Sequence, residues 1–388
     1  MTMKKFLTCL LTNGQACSRL AKLMGASFRS YLLAATAVLG LNTACGQQNQ
    51  GSQSEGKSNF ENTDVQGFAE LIDGGNVVVL DVRTAAEFAE GHIQGAILID
   101  QGQSDFVERA KAALPTNNTI AIYCRSGRRS ANAAERLADA GFKCINLKGG
   151  IIAWKKANMP VTTDTYEVDV FQTKSGKTVK FHALMHASIR IEYDGKEIEV
   201  DPVLKLHDRT VDYGKMPKAD YIFVTHEHMD HFDKEATKVL TKEGTQLITN
   251  KNCADMLGHG IIMKNGDSRE ITADFTVEAV PAYNTTEANK MFHPKGRDNG
   301  FVLTIDGLRI YIAGDTEDIP EMAAIKDIDI AFMPCNQPFT MTPDQLVRAA
   351  KMVKPKVLFP YHYGETNVSG ITGLMKSEGI DVRIRHYE

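Results

Sequence analysis

His226-Glu227-His228-Met229-Asp230-His231 places three imidazoles and a carboxylate within six residues. It follows residues 221–225 (YIFVT), a short apolar run that predicts a buried strand. Packing alone does not explain such a density of ligand-type side chains. Neutral imidazole and carboxylate are donors that zinc, iron or manganese accept, and a loop leaving a buried strand can turn them all toward one cavity. Working outward, residues 179–184, 188–193 and 197–201 read as strands, with Asp194-Gly195 a hairpin turn between the last two. Residues 234–240, 343–353 and 371–377 read as helices, interleaved with strands at 301–305, 310–313 and 357–361. Paired strands mixed with helices predict two packed sheets flanked by helices.

The HxHxDH pattern resembles the metallo-β-lactamase superfamily, which implies an αββα sandwich over residues 164–388. The resemblance implies that His226 and His228 bind one metal and that Asp230 and His231 bind a second. It makes Asp315, in Gly314-Asp315-Thr316, the bridging carboxylate, and His362, in Tyr361-His362-Tyr363-Gly364, the last histidine. In relatives the third histidine of the first site often sits in a Pro-Ala-x-His step. Here that step reads Pro281-Ala282-Tyr283-Asn284, so His293, nine residues on, is the expected substitute and Asn284 the alternative. His186 and Asp201 read as supports, and His182, His207, His259 and His386 as surface or satisfied core residues. The implied cofactors are two divalent ions, zinc first, with manganese or iron also compatible. Two such ions ~3.5–4 Å apart lower the pKa of a bridging water toward neutrality and supply a hydroxide nucleophile, with Asp230 catalytic as well as ligating. The Pro-Ala-Tyr-Asn, Gly-Asp-Thr and Tyr-His-Tyr-Gly steps resemble the lactonase and phospholipase-D-like branch. That implies hydrolysis of an ester, lactone or phosphodiester in a small-molecule substrate.

Residues 60–163 have a different texture. Runs at 76–80 (NVVVL) and 119–123 (TIAIY) read as buried parallel strands, and 130–141 as a helix closed by Gly141. Between strand and helix lies Cys124-Arg125-Ser126-Gly127-Arg128-Arg129-Ser130. A cysteine where a strand feeds a helix N-terminus meets backbone N–H groups and the positive dipole end, and three arginines add cationic charge. Both favour thiolate, the form of a nucleophile. This loop is similar to the active loop of rhodaneses, and so are Asp81-Val82-Arg83-Thr84 with Gly91-His92-Ile93, and Gly149-Gly150-Ile151 with Trp154. The resemblance implies a small α/β fold with a parallel sheet, sulfur transfer through a Cys124 persulfide, and loop residues 125–130 binding the anion or sulfur. Asp81 and Arg83 are expected to support the loop, His92 to shape a turn and Trp154 to fill the core. Phosphatases built on such loops need Cys-x5-Arg; here Arg129 is the fifth residue after Cys124 and Ser130 the sixth, a loop sized for sulfur.

Residues 1–44 carry five basic and no acidic side chains and end in an apolar run at 32–41, half the length a membrane span needs. With Leu41-Asn42-Thr43-Ala44-Cys45 they resemble an export signal with a bacterial lipobox, Asn42 standing where the usual leucine would be. The expected organisation is a signal and lipid site over 1–45 and a flexible tether over 46–59, followed by the two domains. The implied location is a membrane-anchored lipoprotein facing the periplasm or cell surface, or a soluble periplasmic protein if Cys45 is not lipidated. The composition, 43% hydrophobic and 24% charged, excludes a disordered polymer, a collagen, a coiled coil and a multi-span membrane protein. The formal charge of −4 hides an asymmetry: residues 164–388 hold 27 basic and 35 acidic side chains, a poor surface for a phosphate backbone. Nucleic acid is therefore not an expected partner; a small-molecule substrate, a sulfane-sulfur donor and acceptor, and a membrane are. Two other readings stay open. One is an iron-dependent persulfide dioxygenase, since some of those enzymes carry a rhodanese domain; the other is a non-catalytic lipoprotein that binds a metal and an anion.

Overall fold

Alternate residues of one strand feed two different cores in the N-terminal domain, which is why its strands read as unbroken apolar runs. The computed structural model describes residues 59–74, 77–164 and 166–387; the expected signal, Cys45 and residues 46–58 of the tether lie outside them. Strands β1 (Glu61–Thr63), β2 (Val77–Asp81), β3 (Ile97–Leu98), β4 (Thr119–Tyr123) and β5 (Lys143–Leu147) form a parallel sheet in the order β1-β5-β4-β2-β3. On one face Val78, Leu80, Ile120 and Ile122 meet α3 (Phe106–Ala113) and α4 (Arg128–Asp139) through Phe106, Ala133 and Leu137. On the other, Val77, Val79 and Ala121 meet Phe68 of α1 (Val65–Asp73) and Ile151 and Trp154 of α5 (Gly150–Lys156). A short α2 (Ala85–Ala89) follows β2 and opens on a capping box between Thr84 and Glu87. Helix α4 begins two residues earlier than its apolar spacing suggested. Gly127, at φ +87°, turns the chain straight from the loop into the helix, so Arg128, Arg129 and Ser130 make its first turn.

The C-terminal domain is two seven-stranded sheets face to face. The first runs β14-β13-β12-β9-β8-β7-β6, built from β6 (Glu167–Gln172), β7 (Thr178–Met185), β8 (Ser188–Tyr193), β9 (Lys196–Val200), β12 (Tyr221–Val224), β13 (Gln246–Thr249) and β14 (Ile261–Ile262). The short strands β10 (Lys205–Leu206) and β11 (Arg209–Thr210) pair only with each other. The second sheet keeps chain order: β15 (Ser268–Thr272), β16 (Phe275–Ala282), β17 (Asp298–Ile305), β18 (Leu308–Ile312), β19 (Ile330–Pro334), β20 (Val357–Tyr361) and β21 (Asp381–Val382). Between the sheets lies one apolar core, in which Ile191, Val200 and Phe223 face Val277, Phe301, Phe332 and Phe359. Helix α6 (Lys234–Leu240) and α7 (Lys251–Leu257) cover the outside of the first sheet, while α8 (Pro343–Val353) and α9 (Ser369–Lys376) cover the second. This is the αββα sandwich that the sequence implied. The β8–β9 turn has positive φ at both Asp194 and Gly195, the requirement of a type I′ hairpin.

Strand direction positions the site. Strand β12 runs parallel to β9, and β18, β19 and β20 run parallel to one another. The loops that leave their carboxyl ends carry Asp201, the histidine cluster, Asp315 and His362. No helix among the described residues is long and apolar enough to cross a membrane.

Candidate metal centre

Eight ligand-type side chains form two groups. His226, His228, His293 and Asp315 make one, and His186, Asp230, His231 and His362 make the other, the ligand atoms within each lying no more than 4.8 Å apart. Asp315 faces both: its Oδ2 is 3.3 Å from His293 Nε2 and 3.2 Å from His362 Nε2, and its Oδ1 is 3.2 Å from His231 Nε2. A carboxylate so placed can serve two ions at once.

The free atoms of this cluster suit a cation. His226 Nε2, His231 Nε2, His362 Nε2 and Asp315 Oδ1 are buried and make no aligned hydrogen bond, close as they lie to one another. Each such atom costs ~1–3 kcal/mol if it stays unmatched, so four together call for a bound charge. Three of the outward nitrogens, by contrast, are held, while His362 Nδ1 is buried without a partner. His231 Nδ1 lies 2.8 Å from Asp201 Oδ2, and His293 Nδ1 lies 3.0 Å from Asp298 Oδ2. The Thr225 hydroxyl donates to Asp201 Oδ2 at 2.8 Å, so it accepts from His226 Nδ1 at 3.0 Å. These partners assign the proton to Nδ1 and aim each Nε2 lone pair inward, the outer-shell arrangement of metal-binding histidines. A set of nitrogens and oxygens without thiolate fits zinc, manganese or iron.

Charge inside the cluster is already sorted. Burial, with the charge of His231, pushes His226 well below the ordinary imidazole range, so it is a neutral donor. Burial opposes ionisation of Asp315 and Asp230, yet the neighbouring histidines hold both carboxyls well below their usual range. Burial would also lower His231, but Asp315, Asp230 and Asp201 hold it well above. A metal bound here would replace the protons that these carboxylates keep on the histidines. His186, Asp201 and His362 have φ of +53°, +46° and +47°, a costly region for non-glycine residues that concentrates at functional sites.

Two outcomes differ from or resolve the sequence reading. His186, read there as a support, lies in the second group with Nε2 3.2 Å from Asp230 Oδ2. His293 enters the first group, whereas Asn284 closes the loop beneath it. Asn284 donates its side-chain amide to Phe339 O at 2.7 Å and Asn289 O at 3.2 Å, and its backbone N–H to His293 O at 2.9 Å. Glu317 ties the same loop down by accepting from the N–H groups of Thr285 and Thr286 and from Asn289; although burial opposes it, these bonds bring its pKa down to about 2. His182 is buried 2.8 Å from Glu192, and His207, His259 and His386 are exposed.

In the N-terminal domain Cys124 follows β4 and is fully buried. Burial would raise its pKa, but the Ser130 hydroxyl and the backbone N–H groups of Ser130, Ser126 and Gly127 bring the thiol below its ordinary value. The arginines contribute less than their number suggested. Arg125 and Arg128 are exposed, and Arg129 is gripped by Glu87 at 2.5 and 2.8 Å while it faces the sulfur. Asp81 and Arg83 pair with each other at 2.6 Å, and Arg83 donates to Gly91 O at 3.0 Å, so their support goes to the 91–93 turn. Ring stacking on Phe88 holds His92 in that turn, and Trp154 packs on Phe68. The first turn of α5 closes the Cys124 loop: Ile151 and Ile152 donate to the carbonyls of Cys124 and Arg125 at 2.9 and 3.2 Å. A Cβ on Gly150, at φ +56°, would overlap the Cys124 carbonyl. Gly150→Ala is therefore expected to destabilise the protein by about 1–3 kcal/mol in denaturant unfolding; unchanged stability would show that this close approach is not needed.

A metal-binding αββα sandwich behind a rhodanese-like sheet defines the class: a metallo-β-lactamase-fold metal-dependent hydrolase with a rhodanese-like domain. Known proteins agree. A family model for the beta-lactamase superfamily domain matches residues 180–362, and one for the rhodanese-like domain matches 64–157. The chain is 33% identical over 184 residues to a UPF0173 metal-dependent hydrolase of Ligilactobacillus salivarius, covering 46% of this chain and 82% of that protein. It is 30% identical over 194 residues to a UPF0173 metal-dependent hydrolase of Thermococcus kodakarensis, covering 48% and 84%. A crystal structure of a metal-dependent hydrolase from Parabacteroides distasonis is 50% identical, with a TM-score of 0.56, over 57% of this chain and all of that one. The chain belongs to the UPF0173 metal-dependent hydrolase family.

Proposed function

We propose that the C-terminal domain hydrolyses an ester, lactone or phosphodiester in a small molecule with two divalent ions, zinc first, and that Cys124 carries sulfane sulfur between a donor and an acceptor. The observation that carries the hydrolase reading is the set of buried ligand atoms, without aligned hydrogen bonds, converging in two groups that share Asp315. Two divalent ions there would acidify a water and polarise the scissile group. The chain's own residues supply the rest. His226, His231 and His293 are locked in orientation by Thr225, Asp201 and Asp298, and Asp315 keeps the two groups adjacent. Asp230, whose side chain is 27% exposed, is the open member of its group, and its carboxylate stays ionised beside His186, His231 and His362. Met229 and Met291, 82% and 77% exposed beside the ligands, suit a substrate with an apolar portion. An N-terminal lipid at Cys45 would hold both activities at a membrane surface.

Metal analysis of the purified chain with a panel of lactone, ester, phosphodiester and persulfide substrates tests the reading. Two zinc or manganese ions per chain and hydrolysis of at least one of the first three classes are expected. One iron per chain with oxygen-dependent persulfide oxidation would replace it with the dioxygenase.

A further inference from the structure

Residues 383–387 run from the junction of the two domains to the metal centre. Arg383 Nη1 lies 2.8 Å from Asp169 Oδ1, and its Nη2 donates to Ala112 O, in α3 of the rhodanese-like domain, at 3.4 Å. Arg385 grips the same carboxylate through Nε and Nη2, both at 2.7 Å. Asp169 is buried in β6, the strand that packs on β3 of the other domain. The Tyr363 hydroxyl donates to Arg385 O at 2.5 Å, and the His386 N–H donates to Glu167 Oε2 at 2.6 Å. Tyr387 is buried in the sandwich core beside Tyr361. Its carbonyl accepts from the His186 N–H at 2.8 Å, and His186 O accepts from the His362 N–H at 3.2 Å.

Two members of the second group thus hang by their backbones from this segment, His186 directly and His362 through it. Both sit at positive φ, which the surrounding structure must enforce. The first group has separate supports: Thr225 beneath His226, Asp298 beneath His293, and Glu317 beneath the loop. We propose that residues 383–387 are a strap that positions His186 and His362, so that the second metal group, and not the first, depends on the grip of Arg385 on Asp169. Arg385 is then a positioning residue that ties one metal site to the domain junction. The inference rests on the reading of both groups as metal sites.

Zinc titration of the metal-depleted full chain, in competition with a chromophoric chelator, reads the two sites without any substrate. Wild type should take up two ions. Arg385→Met should keep one at wild-type affinity and bind the other more weakly, by up to the roughly 10–100-fold that loss of a direct outer-shell partner costs. Tyr363→Phe, which removes the bond to Arg385 O and leaves the grip on Asp169 in place, should shift the same ion in the same direction by less. Arg385→Lys, which keeps a cation facing Asp169, should restore part of the loss. If Arg385→Met does not fold, as judged by circular dichroism, Tyr363→Phe carries the test alone. Equal weakening of both ions would reduce the strap to general stability and overturn it, and so would no weakening of either. Fewer than two ions in wild type would instead fail the metal-site reading, and the strap with it.

Discussion

Asp315→Ala is expected to lose both metal ions at concentrations that saturate wild type and to lower hydrolysis roughly 10³-fold or more, as removal of a group central to catalysis does. The argument is geometric. Asp315 Oδ1 approaches His231, and Oδ2 approaches both His293 and His362, so one substitution leaves each group a ligand short. It also removes the anion that offsets repulsion among the imidazoles: Asp315 is the largest of the charges that raise His231, and it raises His362 as well, toward about 9, where burial alone would lower both. His186→Ala should differ in kind. It takes a ligand from the second group alone, so one ion should stay at wild-type affinity. Equilibrium dialysis with metal analysis distinguishes the two patterns. Asp315→Ala protein with two ions and wild-type hydrolysis would end the shared-carboxylate account.

How much of this was legible in the sequence depends on how local each feature is. His226, His228, Asp230 and His231 announce themselves because one strand end carries them all. Asp315 and His362 were legible through the resemblance, which places a carboxylate and a histidine just after these two apolar strands. His186 was not. It is a lone histidine in the β7–β8 turn, and what brings it to Asp230 is a positive φ and a backbone bond to Tyr387, 201 positions further along the chain. The choice between His293 and Asn284 stayed open for a similar reason: Glu317, which holds the loop that raises His293, lies beyond two further strands. Strand β16 was not among the strands read from the sequence, although Phe275, Val277 and Ala279 alternate inward; it carries Pro281 near its end. Pairing with β15 stops at Glu278, so Pro281 stands where β16 has only β17 as a neighbour and one side of its backbone needs no donor. In the N-terminal domain the sheet was legible from its apolar runs. The division of labour among the arginines was not, because Glu87, which claims Arg129, precedes it by 42 residues.

Cys124→Ser is expected to lower sulfur transfer from thiosulfate to cyanide roughly 10³-fold or more, to the level of the uncatalysed background. In the proposed cycle the Cys124 thiolate attacks the outer sulfur of thiosulfate, the S–S bond breaks, and sulfite leaves with the electron pair. Cyanide then takes the terminal sulfur of the persulfide as thiocyanate and returns the thiolate, so no external oxidant or reductant is needed. Serine fails at the first step, because its hydroxyl does not ionise where the thiol does. No other described cysteine can stand in: burial pushes Cys144, Cys253 and Cys335 up to about 12, and each stays a thiol at neutral pH. Ser130 and the backbone N–H groups of the loop hold Cys124 below the ordinary thiol value, so the thiolate fraction rises earlier as pH increases. Alkylation by iodoacetamide should therefore reach half its maximal rate at lower pH than a free cysteine does. Ser130→Ala should move that midpoint upward, since it removes the hydroxyl 3.3 Å from Sγ. Because Cys124 has no exposed surface, slender reagents should outpace bulky ones at every pH. Wild-type turnover by the serine variant would remove the sulfurtransferase from the proposal. An unshifted midpoint in Ser130→Ala would place the support of the thiolate in the loop backbone alone.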